Sequence, residues 1–172
     1  SDHLRADVVV LASGARLSEL AHTVGVRRVV QAGRGYSFTV PVEQPPTGPF
    51  YLPAQRVACT PLRGRLRVAG MMEFRRPGEP LDQRRIEAIR RAAEPMITGA
   101  DFDDRQEEWV GSRPCTADGL PLIGPTRSPR VHLAGGHGMW GVTLGPLTGS
   151  LVSEAIVTGV VPELLRPFDP LR

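Results

Sequence analysis

The sequence predicts an α+β protein, in which an antiparallel sheet with flanking helices is joined to part of an α/β unit. Three observations predict this fold class. An almost entirely apolar run near the N-terminus leads through a glycine turn into a helical pattern. Short β-type runs separated by glycine and proline clusters occupy the middle of the chain. Two longer segments with helical periodicity follow them.

The first element is a strand followed by a short helix. Residues 7–12 (DVVVLA) are nearly all apolar and rich in β-branched valine, which predicts a strand buried on both faces, as in a parallel sheet. This strand leads to Gly14. Residues 16–24 have leucine and valine at helical spacing and are followed by Gly25, a typical helix stop. The chain is therefore expected to open with a strand, a glycine turn and a helix.

Residues 27 to about 74 have the pattern of an antiparallel sheet. The β-type residues fall in short runs, at 29–30, 36–40, 50–52, 56–60 and 66–69. Clusters such as EQPPTGP separate these runs, as expected for connections between antiparallel strands. This region is expected to form a layer or domain distinct from the N-terminal strand and helix.

The clearest helix is predicted over about residues 82–98. Asp82 is placed to cap the first turn, and Gly99 ends the pattern. Pro95 falls late in the helix and is expected to kink it or end it early. Arginines are expected on the outer face. The apolar stripe is expected at Ile86, Ile89, Ala93 and Met96.

The last third of the chain combines short strands, a turn-rich segment and one long helix. A strand is predicted around residues 107–110, turns over 113–124, and a second strand over 131–134. Residues 142–158 have the pattern of a helix, in which Pro146 fits only within the first turn. The residues of this helix expected to face the core are Leu144, Leu147, Leu151, Ala155 and Ile156.

The composition excludes several classes of function. The chain has 172 residues and a net charge of +3, and all 21 of its basic residues are arginine. The absence of lysine excludes Schiff-base chemistry and a Walker-type phosphate site. The arginines are scattered, so no nucleic-acid partner is expected, and no run approaches the ~20 apolar residues of a membrane span. Two distant cysteines favour a reducing, cytoplasmic setting over a disulfide framework, and no ligand pattern predicts a metal site.

The strongest chemical signal is the glycine-rich turn before the last helix. Five glycines occur within residues 135–145 (GGHGMWGVTLG), and such a turn lets the backbone approach a flat or charged ligand closely. The helix N-terminus that follows favours negative charge. From these residues alone, a turn that only packs a strand against a helix remains an open alternative. The spacing is not that of a dinucleotide-binding fingerprint.

Two longer motifs surround this turn. Residues 109–124 (WVGSRPCTADGLPLIG), followed by residues 132–149 (HLAGGHGMWGVTLGPLTG), resemble the FAD-dependent D-amino acid oxidase superfamily. Its members include glycine oxidase, sarcosine oxidase and D-amino acid dehydrogenase. Residues 9–14 are similar to the family's last strand before its substrate domain, and residues 35–39 and 66–73 look most like D-amino acid dehydrogenases. The resemblance covers nearly the whole chain.

The resemblance implies FAD as the cofactor and an amine or amino acid as the substrate. Arg113 is similar to the arginine that grips the substrate carboxylate in glycine oxidase, a role that suits a planar guanidinium. The alternative is a structural arginine paired with an acid such as Asp118. Tyr36 and His137 are the other substrate-binding candidates, each with a purely structural alternative. The residues implied to line the cofactor are Gly14, Gly136, Gly138, Met139, Trp140, Gly141, Val142 and Thr143.

The same resemblance implies a division of the chain and a reaction. Residues 1–26 and 109–172 are expected to belong to an FAD-binding α/β domain, and residues 27–108 to an α+β substrate-binding domain. The reaction would be hydride transfer from the substrate Cα–H to flavin N5, and no catalytic residue is nominated. Glycine oxidase has a basic residue at the position of Met139, so the identity of the amine stays open. The electron acceptor, either oxygen or a membrane-linked quinone carrier, stays open as well.

The family's N-terminal half, which carries a G-x-G-x-x-G loop for the ADP end of FAD, has no counterpart in the sequence. We therefore expect the C-terminal part of a D-amino acid dehydrogenase, inactive alone, with that half as its partner. The unpaired strand edge at residues 8–11 would also be open to dimerisation. The alternatives are a sarcosine or glycine oxidase relative, and a naturally short, non-catalytic binding module.

Overall fold

Eight β-strands and three α-helices form two units in the computed structural model, which describes residues 3–172. The first unit contains the chain up to residue 33 together with residues 113–172, and the second contains residues 34–112. These boundaries fall inside two long strands. The chain is a mixed α+β protein, as the sequence predicted.

The first unit is built on a three-stranded sheet. Strand β1 (Val9–Leu11) pairs in parallel with β8 (Val131–Gly135), and β8 pairs antiparallel with β7 (Leu122–Pro125). Helix α1 (Leu17–Ala21), with a 3-10 turn before and after it, follows β1, and helix α3 (Gly141–Thr158) follows β8. The predicted strand, glycine turn and helix at the start of the chain are confirmed.

Two apolar clusters form the core of the first unit. One cluster joins α1 to the sheet and consists of Leu17, Ala21, Val26, Val30, Leu122 and Leu133. The other cluster packs α3 and the 3-10 helix Glu163–Phe168 on the sheet, through Ile123, Val152 and Leu165. Both clusters support β7 and β8, and β8 leads directly into the glycine-rich segment before α3.

Strand β1 is not buried on both faces, which corrects the prediction made from its apolar sequence. Val9 and Val10 are 46% and 41% exposed, and β1 lies at the edge of the sheet. Among residues 3–172 its one neighbouring strand is β8. All-apolar parallel strands are normally covered on both faces, so this edge is a surface on which a further element can pack.

The second unit is a five-stranded sheet with helix α2 packed on one face. The strand order is β3-β4-β5-β2-β6, and the β3–β4 and β4–β5 pairs are antiparallel, as predicted. In its core, the rings of Phe38 and Phe102 lie edge to face with centroids 6.3 Å apart. The elements are β2 Val30–Pro41, β3 Phe50–Leu52, β4 Val57–Leu62, β5 Arg65–Phe74, α2 Gln83–Ala93 and β6 Gln106–Thr116.

Strands β2 and β6 are longer than the sequence pattern predicted. Strand β2 continues through Gly33 and Gly35 instead of breaking there, and β6 continues to Thr116, into the segment predicted to consist of turns. Strand β2 lies between two neighbours in the sheet, and pairing along both of its edges outweighs the poor β propensity of its glycines. Within segment 113–124, irregular structure is limited to residues 117–121.

Helix α2 begins where predicted and ends earlier. The Asp82 carboxylate accepts a hydrogen bond from the Arg84 amide at 3.0 Å and caps the helix. The regular helix stops at Ala93, and Pro95 lies in the 3-10 turn that follows. Met96 is consequently exposed rather than part of the apolar stripe. The buried members of the stripe, as predicted, are Ile86, Ile89 and Ala93.

Helix α3 has the predicted extent, and its predicted apolar face is buried in part: Ala155 is buried, and Leu151 and Ile156 pack against the core. Leu144 and Leu147 are exposed, and the buried residues of the helix are Thr148, Val152 and Ala155. Pro146 lies in the second turn rather than the first. This position is tolerated because the carbonyl that its missing amide would have bonded belongs to Val142, which is exposed to water.

Candidate functional site

The residues singled out as cofactor contacts gather at one edge of the first unit's sheet. Because β1 and β8 are parallel, their carboxyl ends lie at the same edge. Gly14 follows β1 and Gly136 follows β8, so both lie there, and α3 begins shortly afterwards at Gly141. Ligands of open α/β sheets bind outside the carboxyl ends of the parallel strands.

The turn between β8 and α3, which we call the glycine turn (residues 135–140), is closed on one side and open on the other. Gly136 has a φ of +78°, and a Cβ there would lie 2.9 Å from Thr116 Cγ2 and 3.4 Å from the Leu122 amide nitrogen. Gly138 has a φ of +56°, and a Cβ there would meet nothing within 4 Å. Position 136 therefore requires glycine for both its backbone conformation and its close contacts.

The N-terminus of α3 has no side-chain cap. Its N-cap residue is Trp140, and the Leu144 amide donates the first helical hydrogen bond to the Trp140 carbonyl at 2.8 Å. The amides of residues 141–143 precede that bond and lack an intrahelical acceptor. Together with the helix dipole they favour an anionic or accepting ligand. Met139 and Val142 are exposed beside them and offer a flat apolar molecule a surface to contact.

His137 is held in the glycine turn by a residue of α3. Its Nε2 lies 2.9 Å from Thr148 Oγ1, and its backbone forms a bridge with Cys115 at the end of β6. Burial lowers the pKa of this imidazole, so the ring is neutral at pH 7. A contact between His137 and substrate stays a prediction.

A cavity of about 540 Å³ lies beside the glycine turn. Val10 of β1 and His137 line it, and α3 contributes a face of small residues. Those small residues are Gly141, Gly145 and Gly149. Space for a further packed element therefore exists between the open strand β1 and α3.

The structure brings the strand that carries Arg113 to the same turn. Arg113 is half-buried near the end of β6, and the next residue, Pro114, accepts a hydrogen bond from the Gly138 amide at 2.8 Å. Asp118, the acid considered as a structural partner of Arg113, forms an ion pair with Arg172 at 3.0 Å. The role of Arg113 in substrate binding stays a prediction.

Tyr36 lies in the core of the second unit. Its hydroxyl donates a hydrogen bond to Glu73 Oε2 at 2.7 Å, and Glu73 Oε1 accepts another from Arg85 Nε at 3.0 Å. Burial, followed by the bond to Glu73, raises the pKa of Tyr36. The bond from Tyr36 and then the Arg85 guanidinium lower the pKa of Glu73, against the opposing effect of burial. The hydroxyl has a protein partner, and its contact with substrate stays a prediction.

Replacing Tyr36 by phenylalanine is expected to lower the free energy of unfolding by about 1–2 kcal/mol at pH 7, because Glu73 loses a donor. A carboxyl with a lowered folded pKa contributes stability above its ordinary pKa and loses it as the pH falls through the folded value. The difference between Tyr36→Phe and the parent should therefore shrink below about pH 4. Urea unfolding at neutral and acid pH measures both effects.

Tyr51→Phe is the matched control for this substitution. Tyr51 is exposed on β3, so its hydroxyl should contribute less than about 0.5 kcal/mol. Equal losses in the two variants would contradict the stabilising role of the Tyr36–Glu73 bond. A loss for Tyr36→Phe that persists undiminished in acid would contradict the assigned linkage.

Sequence reasoning missed the partners of the candidate residues. Glu73 lies 37 residues from Tyr36, and Arg172 lies 54 residues from Asp118. Segment 66–73 was noted for its family resemblance, but nothing in it marks Glu73 as a partner of Tyr36, and Arg172 lies in no motif. Hydrophobic periodicity carries no information about which charged residues meet across a fold. These pairings become visible in the tertiary structure alone.

The chain matches the family model described as DAO, FAD dependent oxidoreductase, over residues 1–155. It is similar to the D-amino acid dehydrogenase of Azorhizobium caulinodans, with 33% identity over 162 residues, which are 92% of this chain and 39% of that protein. The D-amino acid dehydrogenase of Vibrio vulnificus strain YJ016 is 33% identical over 172 residues, 98% of this chain and 41% of that protein. The chain thus spans about two fifths of the length of these relatives.

Solved structures of oxidases share the fold. Glycine oxidase from Geobacillus kaustophilus aligns with a TM-score of 0.77 and 29% identity, over 97% of this chain and 46% of that chain. Iminodiacetate oxidase from Chelativorans sp. BNC1 aligns with a TM-score of 0.78 and 21% identity, over 97% of this chain and 47% of that chain. At 21% identity, the similarity to iminodiacetate oxidase shows a shared fold alone.

None of the described helices combines the length and the apolar character required to cross a bilayer. The described histidine, cysteine, aspartate and glutamate side chains form no group of three or more that could hold a metal ion.

Proposed function

The chain belongs to the FAD dependent oxidoreductase (DAO) family, and from this membership we propose that it is the C-terminal part of an enzyme oxidising the C–N bond of a D-amino acid or a related amine. FAD is the proposed cofactor of the full-length protein. The similarity to D-amino acid dehydrogenases supports a D-amino acid as the substrate. The relatives are much longer than this chain, and we assign the ADP end of FAD to the part of them that it does not match.

The observation that carries this proposal is the uncapped N-terminus of α3 beside an open glycine turn. Gly138 leaves room for a flat ring, and the amides of residues 141–143 have no helical acceptor. Reduced flavin carries negative charge near N1 and the C2 carbonyl, which those amides and the helix dipole would stabilise. The residues proposed to line the ring are Gly14, Gly136, Gly138, Met139, Trp140, Gly141, Val142 and Thr143.

The chemistry that FAD supplies when bound is acceptance of a hydride from the substrate Cα at N5, which leaves an imine for water to hydrolyse. The residues of this chain bind and orient the substrate. We assign to Arg113 a two-point contact with the substrate carboxylate, which would fix the orientation of the amine-bearing carbon. The α3 N-terminus would stabilise charge that develops on reduction. We assign no catalytic base.

An activity like that of glycine oxidase is the second candidate. The likeness to the Geobacillus kaustophilus enzyme, at 29% identity, favours it. Met139 speaks against an identical substrate preference, because glycine oxidase is expected to have a basic residue at this position. An exposed thioether cannot supply that charge. The two candidates differ in substrate and share the cofactor.

We propose the FAD-binding half of the same family as the partner of the first unit, in preference to a second copy of the chain. The open edge of β1 can accept a parallel strand, and the cavity of about 540 Å³ beside α3 can accept part of a helix. A homodimer formed through β1 is the competing arrangement. Sedimentation of the isolated chain distinguishes a dimer from a monomer.

Retention of flavin tests the proposed function. The chain alone is expected to emerge from gel filtration without FAD and to be inactive, because it lacks contacts to the ADP end. The full-length natural protein is expected to carry about one FAD per polypeptide, seen as visible absorbance. It should oxidise D-amino acids in a panel that also contains glycine and N-methyl amines, with oxygen and a quinone as acceptors.

Three outcomes of this experiment decide between the hypotheses. A full-length protein without flavin would overturn the proposed function. Preference for glycine or N-methyl amines over D-amino acids would favour the second candidate. Stoichiometric FAD bound to the isolated chain would show that the family's other half is not needed for binding.

A further inference from the structure

We propose that Arg172 is a positioning residue that stabilises the conformation of the glycine turn through the segment packed against it. We call this role the brace. Arg172 acts through the Asp118 turn, defined as residues 117–121 between β6 and β7. All residues involved belong to the first unit. The expected effect of Arg172 on flavin binding rests on the proposed function, because that function assigns the glycine turn to flavin.

The Arg172 guanidinium is fully occupied by this turn and its surroundings. Nε and Nη2 donate to the Asp118 carboxylate at 3.1 and 3.0 Å. Nη2 also donates to the Leu120 carbonyl at 3.0 Å, and Nη1 donates to the carbonyls of Pro121 at 3.2 Å and Asp169 at 2.9 Å. Because two of these acceptors are backbone carbonyls of the turn, the contact depends on the turn's conformation and not on charge alone.

Asp118 organises the backbone of the same turn. Its Oδ1 accepts a hydrogen bond from the Leu120 amide at 3.1 Å, and the Thr116 hydroxyl donates to the Leu120 carbonyl at 2.8 Å. Burial raises the pKa of Asp118, but the Leu120 amide and the Arg172 guanidinium outweigh it and lower the pKa. The carboxylate is therefore charged at neutral pH. The Leu120 carbonyl accepts hydrogen bonds from both the Thr116 hydroxyl, at the end of β6, and Arg172.

The glycine turn lies directly against this braced segment. A Cβ at Gly136 would lie 2.9 Å from Thr116 Cγ2 and 3.6 Å from Pro121 Cα. The Gly138 amide donates to the Pro114 carbonyl at 2.8 Å. The segment from Pro114 to Pro121 is thus the back wall of the glycine turn, and Arg172 holds this wall in place.

The back wall also carries the proposed substrate residue. Arg113 directly precedes Pro114 on β6, so a shift of the wall would move both the substrate arginine and the turn assigned to flavin. Displacements of about 1 Å remote from the chemistry can cost about 100-fold in rate. Arg172 is accordingly a residue that acts on cofactor and substrate through the wall, without touching either.

Arg166 provides the matched control. It forms an ion pair with Glu163 at 2.9 Å, but both side chains are 75% exposed, whereas the Arg172 side chain is 17% exposed. Exposed pairs of this kind contribute little. Arg166→Ala should therefore remove the same side chain from a nearby segment without affecting the wall.

The test compares Arg172→Ala, Arg172→Lys and Arg166→Ala with the parent. In the isolated chain, hydrogen exchange of the peptides covering residues 116–122 and 135–140 should accelerate about tenfold or more in Arg172→Ala. In the FAD-loaded full-length protein, the FAD dissociation constant should rise about tenfold, and the flavin absorbance bands should shift. Arg172→Lys should recover little, since lysine lacks the planar fork. Arg166→Ala should match the parent.

Two results would overturn the brace. One is faster exchange confined to residues 116–122, with residues 135–140 unchanged and FAD affinity within about twofold of the parent. The other is full recovery of hydrogen exchange and FAD affinity in Arg172→Lys, which would show that the positive charge alone is sufficient. If the full-length parent holds no FAD, the proposed function fails, while exchange that spreads to residues 135–140 would still support the brace.

Discussion

If Arg113 binds the substrate carboxylate as proposed, replacing it by alanine in the FAD-loaded full-length protein is expected to raise the KM for the amino acid by about 30-fold or more. Removing one partner of a desolvated, hydrogen-bonded charge pair costs about 2–5 kcal/mol, and each 1.4 kcal/mol corresponds to about a tenfold change. The loss should appear mainly in KM, while the flavin spectrum is retained. Steady-state kinetics together with the visible spectrum of the variant measure both.

A substrate without a carboxylate separates this role from a structural one. If Arg113 binds the carboxylate, Arg113→Ala should treat the decarboxylated amine about as the parent does, because neither makes the contact. Arg113→Lys should recover part of the affinity, since lysine keeps the charge but not the two-point geometry. Arg130→Ala, at an exposed arginine of the same unit, is the control. An unchanged KM with a lowered melting temperature would support the structural alternative.

Replacing Gly136 by alanine is expected to destabilise the first unit by about 2–5 kcal/mol and to abolish FAD binding by the full-length protein. The left-handed backbone costs a non-glycine residue about 1–2 kcal/mol, and the new Cβ must displace Thr116 Cγ2, at 2.9 Å, or the Leu122 backbone, at 3.4 Å. Overpacking of this kind adds about 1–3 kcal/mol. Denaturant unfolding of the isolated chain and flavin titration of the full-length protein measure the two effects.

Gly138→Ala is the control for Gly136→Ala. Gly138 also has a left-handed φ, but a Cβ there meets nothing within 4 Å. It should therefore show the conformational cost of about 1–2 kcal/mol without the steric one. Equal destabilisation of the two variants would mean that the back wall does not constrain the turn. Normal FAD binding by Gly136→Ala would contradict the assignment of the glycine turn to flavin.

Local sequence patterns predicted the regular elements correctly where a single local interaction determines the structure. Asp82 caps α2 as predicted because an aspartate before a helix satisfies orphan amides by itself. Where packing against distant segments determines which residues are buried, the helical spacing of apolar residues was misleading. Leu144 and Leu147 have helical spacing but are exposed, since α3 packs on the sheet through Thr148, Val152 and Ala155.

The candidate site shows the same division. The glycines of the site were recognisable in the sequence, because glycine is the residue that adopts a left-handed turn or allows close backbone approach without strain. The wall behind them was not recognisable, because segment 113–124 has the composition of a turn. Pairing extends β6 to Thr116 instead, and the His137 backbone bridges to Cys115.

By itself, the sequence determined the fold class, the family resemblance and the place of the glycine turn before the last helix. These depend on backbone freedom, apolar periodicity and short motifs, which are local properties of the chain. The tertiary structure alone decided that Asp118 pairs with Arg172, that Tyr36 pairs with Glu73 and that β1 is an edge. Such contacts join residues far apart in the chain, and their energies depend on distance and burial, which no local pattern specifies.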